Sequence, residues 1–203
     1  MERYFIGGSP CSGKSTIAQA LSETYGLCYF KVDDHLERYL KMGAADGKPF
    51  CARAVQLTPE QIWMRDPQMQ CEEELGIYEE IFEYIMADLA KVADQQGAIT
   101  EGAAYLPVLA KQNQLPFNRY LSITPTKEFQ VFHYSQRKWV PCVLAECINP
   151  AKAFENWMER DALFAKAVQT QCAEAGYASL VHHGEIPVKE MTARVASHFA
   201  LDR

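Results

Sequence analysis

Between Tyr4 and Thr16 the chain reads YFIGGSPCSGKST, and this stretch restricts the fold more than any other. From Gly8 the spacing G-x-x-x-x-G-K-S is complete. The apolar run over 3–7 is brief and ends in Gly7-Gly8, which predicts a buried parallel strand in preference to a helix. Beyond Gly13, Ile17, Ala20, Leu21 and Tyr25 recur at helical spacing until Gly26 stops the pattern. A strand, a glycine loop and a helix in that order turn backbone N–H groups toward one point, and the positive end of the helix dipole adds to them. An anion is the natural occupant. Lys14 would neutralise phosphate oxygens and the Ser15 hydroxyl would hold Mg²⁺. The competing reading is a glycine turn beside a surface lysine, which requires neither the strand nor the helix.

The alternation continues along the chain. Residues 27–32 read as a second strand ending at Asp33-Asp34, which opens a short helix through about Leu40. Ala98-Ile99-Thr100 reads as a third strand ending at Glu101-Gly102, 119–123 as a fourth and 178–182 as a fifth. A long helix is predicted over 69–92. Leu75, Tyr78, Ile81, Ile85, Leu89 and Val92 form its sheet-facing stripe, and the acids at 72–74 and 79–80 read as its solvated face. Thr124-Pro125 and Asn149-Pro150 read as N-cap and first-turn pairs, the second opening a helix that Gly176 stops. Pro187 opens a last helix with Val188, Met191, Val195 and Phe199 on one face. Strands alternating with helices imply an α/β fold, a five-stranded parallel sheet covered on both sides. Residues 43–68 and 138–148 lack clean periodicity, and segments of that length in a compact domain are typically lids or substrate-binding loops. The expected organisation is one domain over 1–203, with a substrate-binding segment at 43–70 and a lid at about 137–160.

Composition narrows the partners. With 48% hydrophobic and 23% charged residues the chain is an ordinary globular sequence, and its net charge of −6 argues against a nucleic-acid surface. Cys11, Cys28, Cys51, Cys71, Cys142, Cys147 and Cys172 are odd in number and form no C-x-x-C pair, so the expectation is free thiols in a reducing cytoplasm. No signal peptide or apolar run of about 18 residues is present, so no membrane association is expected. A monomer or homodimer acting on a small molecule fits this composition.

With its strand and helix context, GGSPCSGKS resembles the P-loop of the P-loop NTPase superfamily. The chain lacks the N-K-x-D of GTPase switches, the L-S-G-G-Q of ABC-type ATPases and the Asp-Glu strand end of many motors. Its VDDHLERY and ITEG instead look most like uridine kinase and nicotinamide riboside kinase, and the compact layout is similar to shikimate, gluconate and adenylate kinases. The resemblance implies a P-loop kinase fold with lid and substrate insertions, using ATP and Mg²⁺. It places ATP on Gly8, Ser9, Pro10, Cys11, Ser12, Gly13, Lys14, Ser15 and Thr16, the base near His183-Gly184-Glu185, and Mg²⁺ on Ser15 and, through water, on Glu101, which is also readable as holding a substrate hydroxyl or as an exposed strand-end acid.

In an open α/β sheet the ligand lies at the carboxyl ends of the strands, so the loop, Asp33-Asp34 and Glu101 should meet in one crevice. Transfer to an alcohol needs a carboxylate to accept the hydroxyl proton. Asp33 is the first choice, with Asp34 binding substrate or a metal-bound water. Capping of the helix at His35 competes with that role. Arg137 and Arg160 flank the expected lid, where arginines grip a transferring phosphoryl group, though each is equally readable as a solvated helix residue. Asp161 falls in the apolar stripe of Phe154, Trp157, Phe164, Val168 and Cys172, so it requires a buried partner. Tyr105 reads as lining the acceptor pocket or as core, and Cys11 as an acidified thiol at a helix N-terminus or as a passive loop position. The expected activity is a small-molecule kinase with an alcohol acceptor. A nucleotide kinase, with Arg38, Arg53 and Arg65 as a phosphate clamp, and a non-catalytic ATP sensor are the alternatives.

Overall fold

The computed structural model describes residues 2–92 and 97–201. Its centre is a five-stranded parallel sheet of β1 (Arg3–Gly7), β2 (Cys28–Lys31), β3 (Ala98–Glu101), β4 (Tyr120–Pro125) and β5 (Ala178–His182), ordered β2-β3-β1-β4-β5. The register sets Ile6 and Lys31 each beside Glu101, and Gly7 beside Ser122, so the carboxyl ends of the strands form one edge.

Both faces of the sheet are buried, which explains why its strands read as continuous apolar runs. Tyr4, Ile6, Ile99, Leu121 and Ile123 point to one face. They meet Ile17, Ala18 and Leu21 of α1 (Lys14–Tyr25), Met191 and Val195 of α10 (Val188–His198) and Phe199 just after it. Phe5, Phe30, Ala98 and Tyr120 point to the other. There they meet Ile81, Ile85 and Leu89 of α5 (Pro67–Val92) and Phe164, Val168 and Cys172 of α9 (Pro150–Ala175). Each such side chain, fully buried, contributes roughly 1.5–3 kcal/mol of transfer free energy. The three-layer α/β architecture expected from the alternation is therefore present.

The boundaries differ in instructive ways. Thr124 and Pro125 belong to β4, and the cap of α7 (Lys127–Ser135) is Thr126, whose hydroxyl accepts from the Phe129 amide at 3.3 Å. Pro125 ends the strand instead of starting the helix. Residues 43–68 contain regular structure: α2 (Leu36–Ala45) extends into them, followed by α3 (Pro49–Ala54) and α4 (Pro59–Trp63), each of the latter too short to show a helical period. A proline opens each, and Thr58 with Gln61 forms a reciprocal capping box on α4. The second aperiodic stretch holds α8 (Val140–Val143), and α6 (Pro107–Gln112) follows β3.

The acids of α5 are not a purely solvated face. Glu80 accepts from the Phe50 and Cys51 amides at the start of α3, at 3.0 and 2.8 Å. Glu73 pairs with Arg53 and Arg65, and Glu74 with Arg160. Glu80 and Glu73 hold α3 in this way, whereas α4 is seated by Trp63 stacking on Trp157 of α9. Val188 is likewise exposed, not part of the buried face of α10.

Asp88 of α5 ties the first turn of α2. It receives Tyr39 at 3.1 Å, Lys91 at 2.8 Å and the Arg38 guanidinium. Lys91, and after it Arg38 and Tyr39, hold its carboxyl down at about 2 despite opposing burial. A folded-state pKa below the unfolded value of about 3.9 gives stability that is present above about pH 4 and lost as pH falls toward 2. Asp88→Asn is expected to lower unfolding stability by about 1 kcal/mol at pH 7 and to flatten the loss between pH 4 and 2, measured by urea denaturation across pH.

Candidate active site

The loop between β1 and α1 is built around glycine. Gly8 has φ +119°, and a Cβ there would lie 1.9 Å from the Ile123 carbonyl oxygen, so β4 itself forbids a side chain. Gly13, at φ +85°, occupies the N-cap of α1 with no side-chain cap, leaving the helix amides free to meet an anion. Lys14 begins that helix and folds its ammonium under the loop, donating to the Ser9 carbonyl at 2.6 Å and lying 3.4 Å from the Ser12 hydroxyl. Only 7% of Lys14 is exposed. Burial lowers its pKa, while Glu101 and Asp33 pull the other way. His182, at the end of β5, braces the loop from outside, its Nδ1 lying 3.2 Å from the Ser12 carbonyl oxygen.

The loop forms the floor of a crevice of about 630 Å³, within the range of small-molecule sites. Residues 10–16 line it together with Asp33 and Glu101 from the ends of β2 and β3. Glu101 is 1% exposed, and its Oε1 accepts from the Tyr29 hydroxyl at 3.0 Å. Burial first, then the Glu101 charge, push the Tyr29 phenol well up, so it serves as a fixed donor, with Ser15 in hydrogen-bonding reach of it. A buried carboxylate beside an exposed serine hydroxyl is a hard oxygen donor set that fits Mg²⁺. Among the described residues no group of three or more His, Cys, Asp or Glu can hold a metal. Mg²⁺ here would therefore draw most of its ligands from phosphate oxygens and water.

The opposite wall comes from α7 and the turn after it. Arg137 reaches over the loop to donate to Cys11 Sγ at 3.5 Å, its guanidinium 4.5 Å above the Tyr134 ring. Phe129, His133, His182 and Val188 complete the outer end. Phe129 lies 4.1 Å from His133 and 4.4 Å from His182 between ring centroids, an aromatic surface suited to a flat heterocycle. These residues were not singled out from sequence. The strand-end rule that selects Asp33 and Glu101 also selects His182, whereas Phe129 and His133 look like ordinary helix residues.

The predicted site residues divide. Pro10, Cys11, Ser12, Gly13, Lys14, Ser15, Thr16, Asp33, Glu101 and Arg137 line the crevice. Gly8 and Ser9 lie behind it as support. Asp34 turns away, 3.3 Å from Lys31, into a shallow surface groove with Glu37 and Arg38, because the 3₁₀ turn at Val32–His35 sends consecutive side chains in different directions. Gly184, at φ +88°, packs against Phe129 and is not in the crevice lining. Tyr105 is fully buried, 2.6 Å from the Thr100 hydroxyl, and is core. Arg160 is no crevice group: its Nε is 2.6 Å from Asp161, it pairs with Glu74, and it lies 5.3 Å from the Trp63 centroid. Asp161 thus has the buried partner its position demands, and Gln130 donates to it at 3.0 Å.

β1, the glycine loop and α1 form a P-loop set in a parallel α/β sheet. No protein-family profile matches the chain, and no curated protein sequence matches it. Solved structures do. A candidate kinase from Chloroflexus aurantiacus J-10-fl is 13% identical with a TM-score of 0.49, covering 97% of both chains. Shikimate kinase from Aquifex aeolicus VF5 is 18% identical with a TM-score of 0.46, over 98% of this chain and 97% of that one. A gluconokinase from Sinorhizobium meliloti 1021 is 14% identical with a TM-score of 0.47, over 98% and 92%.

Cys11 is not the acidified thiol that its place before a helix would produce. Burial raises its pKa, and Arg137 only partly offsets this. At pH 7.5 it is therefore protonated, and iodoacetamide is expected to label exposed Cys142 well before Cys11, as read by peptide mass mapping. Faster labelling of Cys11 would contradict this account.

Proposed function

We propose that the chain is an ATP- and Mg²⁺-dependent kinase that transfers the γ-phosphoryl group to a hydroxyl of a small molecule. The observation that carries this reading is the sharing of one crevice by the buried Lys14, the loop amides, Asp33 and Glu101. The loop and Lys14 would hold the triphosphate, and the Phe129, His133 and His182 surface would take the base. Ser15 and Glu101 would hold Mg²⁺, which when bound neutralises phosphate charge. Asp33 orients the acceptor hydroxyl and takes its proton as the acceptor oxygen bonds to the γ-phosphorus. The bond from that phosphorus to the β,γ-bridging oxygen breaks, and its electron pair leaves with ADP.

Arg137 supplies a planar, permanently charged fork on the far side, placed to meet charge on the transferring group. Its contacts among the described residues, a thiol and the rings of Tyr134 and Trp139, include no direct carboxylate partner, which leaves its charge available. A net charge of −6 and the confined crevice suit a small substrate better than a nucleic acid. No helix of the described residues is long and apolar enough to cross a membrane, and we take the cytoplasm as the place of action.

Lys14→Ala is expected to weaken ATP binding by about 30-fold or more in isothermal calorimetry. Unchanged affinity would sink the phosphate site. Asp33→Asn should lower kcat by about 100-fold or more while ATP affinity stays within about threefold. Full turnover in that variant would take the proton-accepting role from Asp33.

A further inference from the structure

Beside the phosphate crevice lies a second cavity of about 220 Å³, roughly seven water volumes at about 30 Å³ each. The two share Leu36 and Tyr78, so a molecule in one abuts the other. Half of its lining residues are aliphatic: Leu36, Leu40, Ala54, Leu57, Ile62 and Ile77. These are only partly buried, so each has surface to offer an occupant.

The charged groups at its margin are committed to one another. Arg65 pairs with Glu73 at 2.5 Å, and Arg160 with Glu74 and Asp161. Tyr78 donates to Glu74 at 2.7 Å. An anionic acceptor would have to break a half-buried pair and leave its carboxylate uncompensated, which is costly. Outside those ion pairs two atoms of the lining residues are buried without a partner, the donor Arg65 Nε and the acceptor Gln70 Oε1, and a hydroxyl on the occupant, which both donates and accepts, answers either. Gln70, 4% exposed, donates through Nε2 to the Arg65 carbonyl at 2.9 Å, which fixes the amide orientation and leaves Oε1 buried without a partner. A buried acceptor in a cavity wall calls for a donor from the occupant.

Resting on the kinase reading above, we propose that the acceptor is an uncharged alcohol with an apolar body and a second hydrogen-bond donor, seated in this cavity. The donor satisfies Gln70, the body fills the aliphatic wall, and the hydroxyl end emerges past Leu36 and Tyr78 toward Asp33. This chemistry excludes sugar acids and nucleoside monophosphates as preferred acceptors. Arg53 and Arg65, which a phosphate clamp would need, are both spent on Glu73.

The test uses 2-(4-hydroxyphenyl)ethanol, which has a primary alcohol at one end and a phenol at the other, with 2-phenylethanol, gluconate and AMP as comparators. Saturation-transfer NMR is expected to show saturable binding of the phenol-bearing alcohol with Kd of about 1 mM or below, and about fivefold weaker binding of 2-phenylethanol. Ala54→Phe, which fills the cavity at the end of α3, should weaken binding at least about tenfold, with calorimetric ATP binding as the check that the variant is folded. No binding by the wild type, or equal binding by the folded variant, overturns the proposal. With ATP and Mg²⁺, transfer to gluconate or AMP in preference to the uncharged alcohols also overturns it while upholding the kinase reading. Saturable binding of the phenol-bearing alcohol with no transfer to any acceptor upholds the cavity's chemistry and counts against the kinase reading instead.

Discussion

A buried ammonium governs this structure. Lys14 is enclosed beneath its own loop with one carbonyl and one hydroxyl for company, and enclosing a charge in that way is unfavourable unless something compensates it. Glu101 and Asp33 compensate from the ends of two other strands, and they can do so only because the parallel register brings those ends to one edge. The sheet order, the glycine at position 8 pressed against β4, and the strand-end acids are thus parts of a single electrostatic arrangement.

Next to that polar crevice stands a cavity of opposite character. The acids on α5 pair with Arg53 of α3, with Arg65 just after α4 and with Arg160 of α9, so the charges at the cavity margin are matched in pairs. A charged crevice and a neutral cavity meet at Leu36 and Tyr78, which belong to both.

Most of the sheet and the loop were legible because they rest on local signals: short apolar runs bounded by glycine, and a helical period strong enough to survive noise. The strand-end acids followed from topology, since parallel sheets bring such positions together. What escaped was set by distant partners. The difference between Asp33 and Asp34 depends on one turn of 3₁₀ helix, and neighbouring aspartates look alike in a sequence. Arg160 reads as a lid arginine until Asp161 and Glu74 are seen to hold it, a contact that spans two long helices. The helices over 49–63 are too short for periodicity, and contacts from α5 and α9 fix them, so no local pattern announces them. Phe129 joins the crevice only because β5 delivers His182 beside it.

All three tryptophans of the chain lie in one stacked group. Trp63 of α4 and Trp157 of α9 have ring centroids 4.3 Å apart, and Trp139 is 5.8 Å from Trp157. Trp63 ends the helix that walls the neutral cavity, while Trp139 lines the charged crevice beside Arg137. The indole fluorescence of this protein is consequently a local optical signal. It originates in a cluster with one member on the helix that walls the cavity and another in the crevice lining, and emission from the natural chain reports the surroundings of that cluster without any introduced dye.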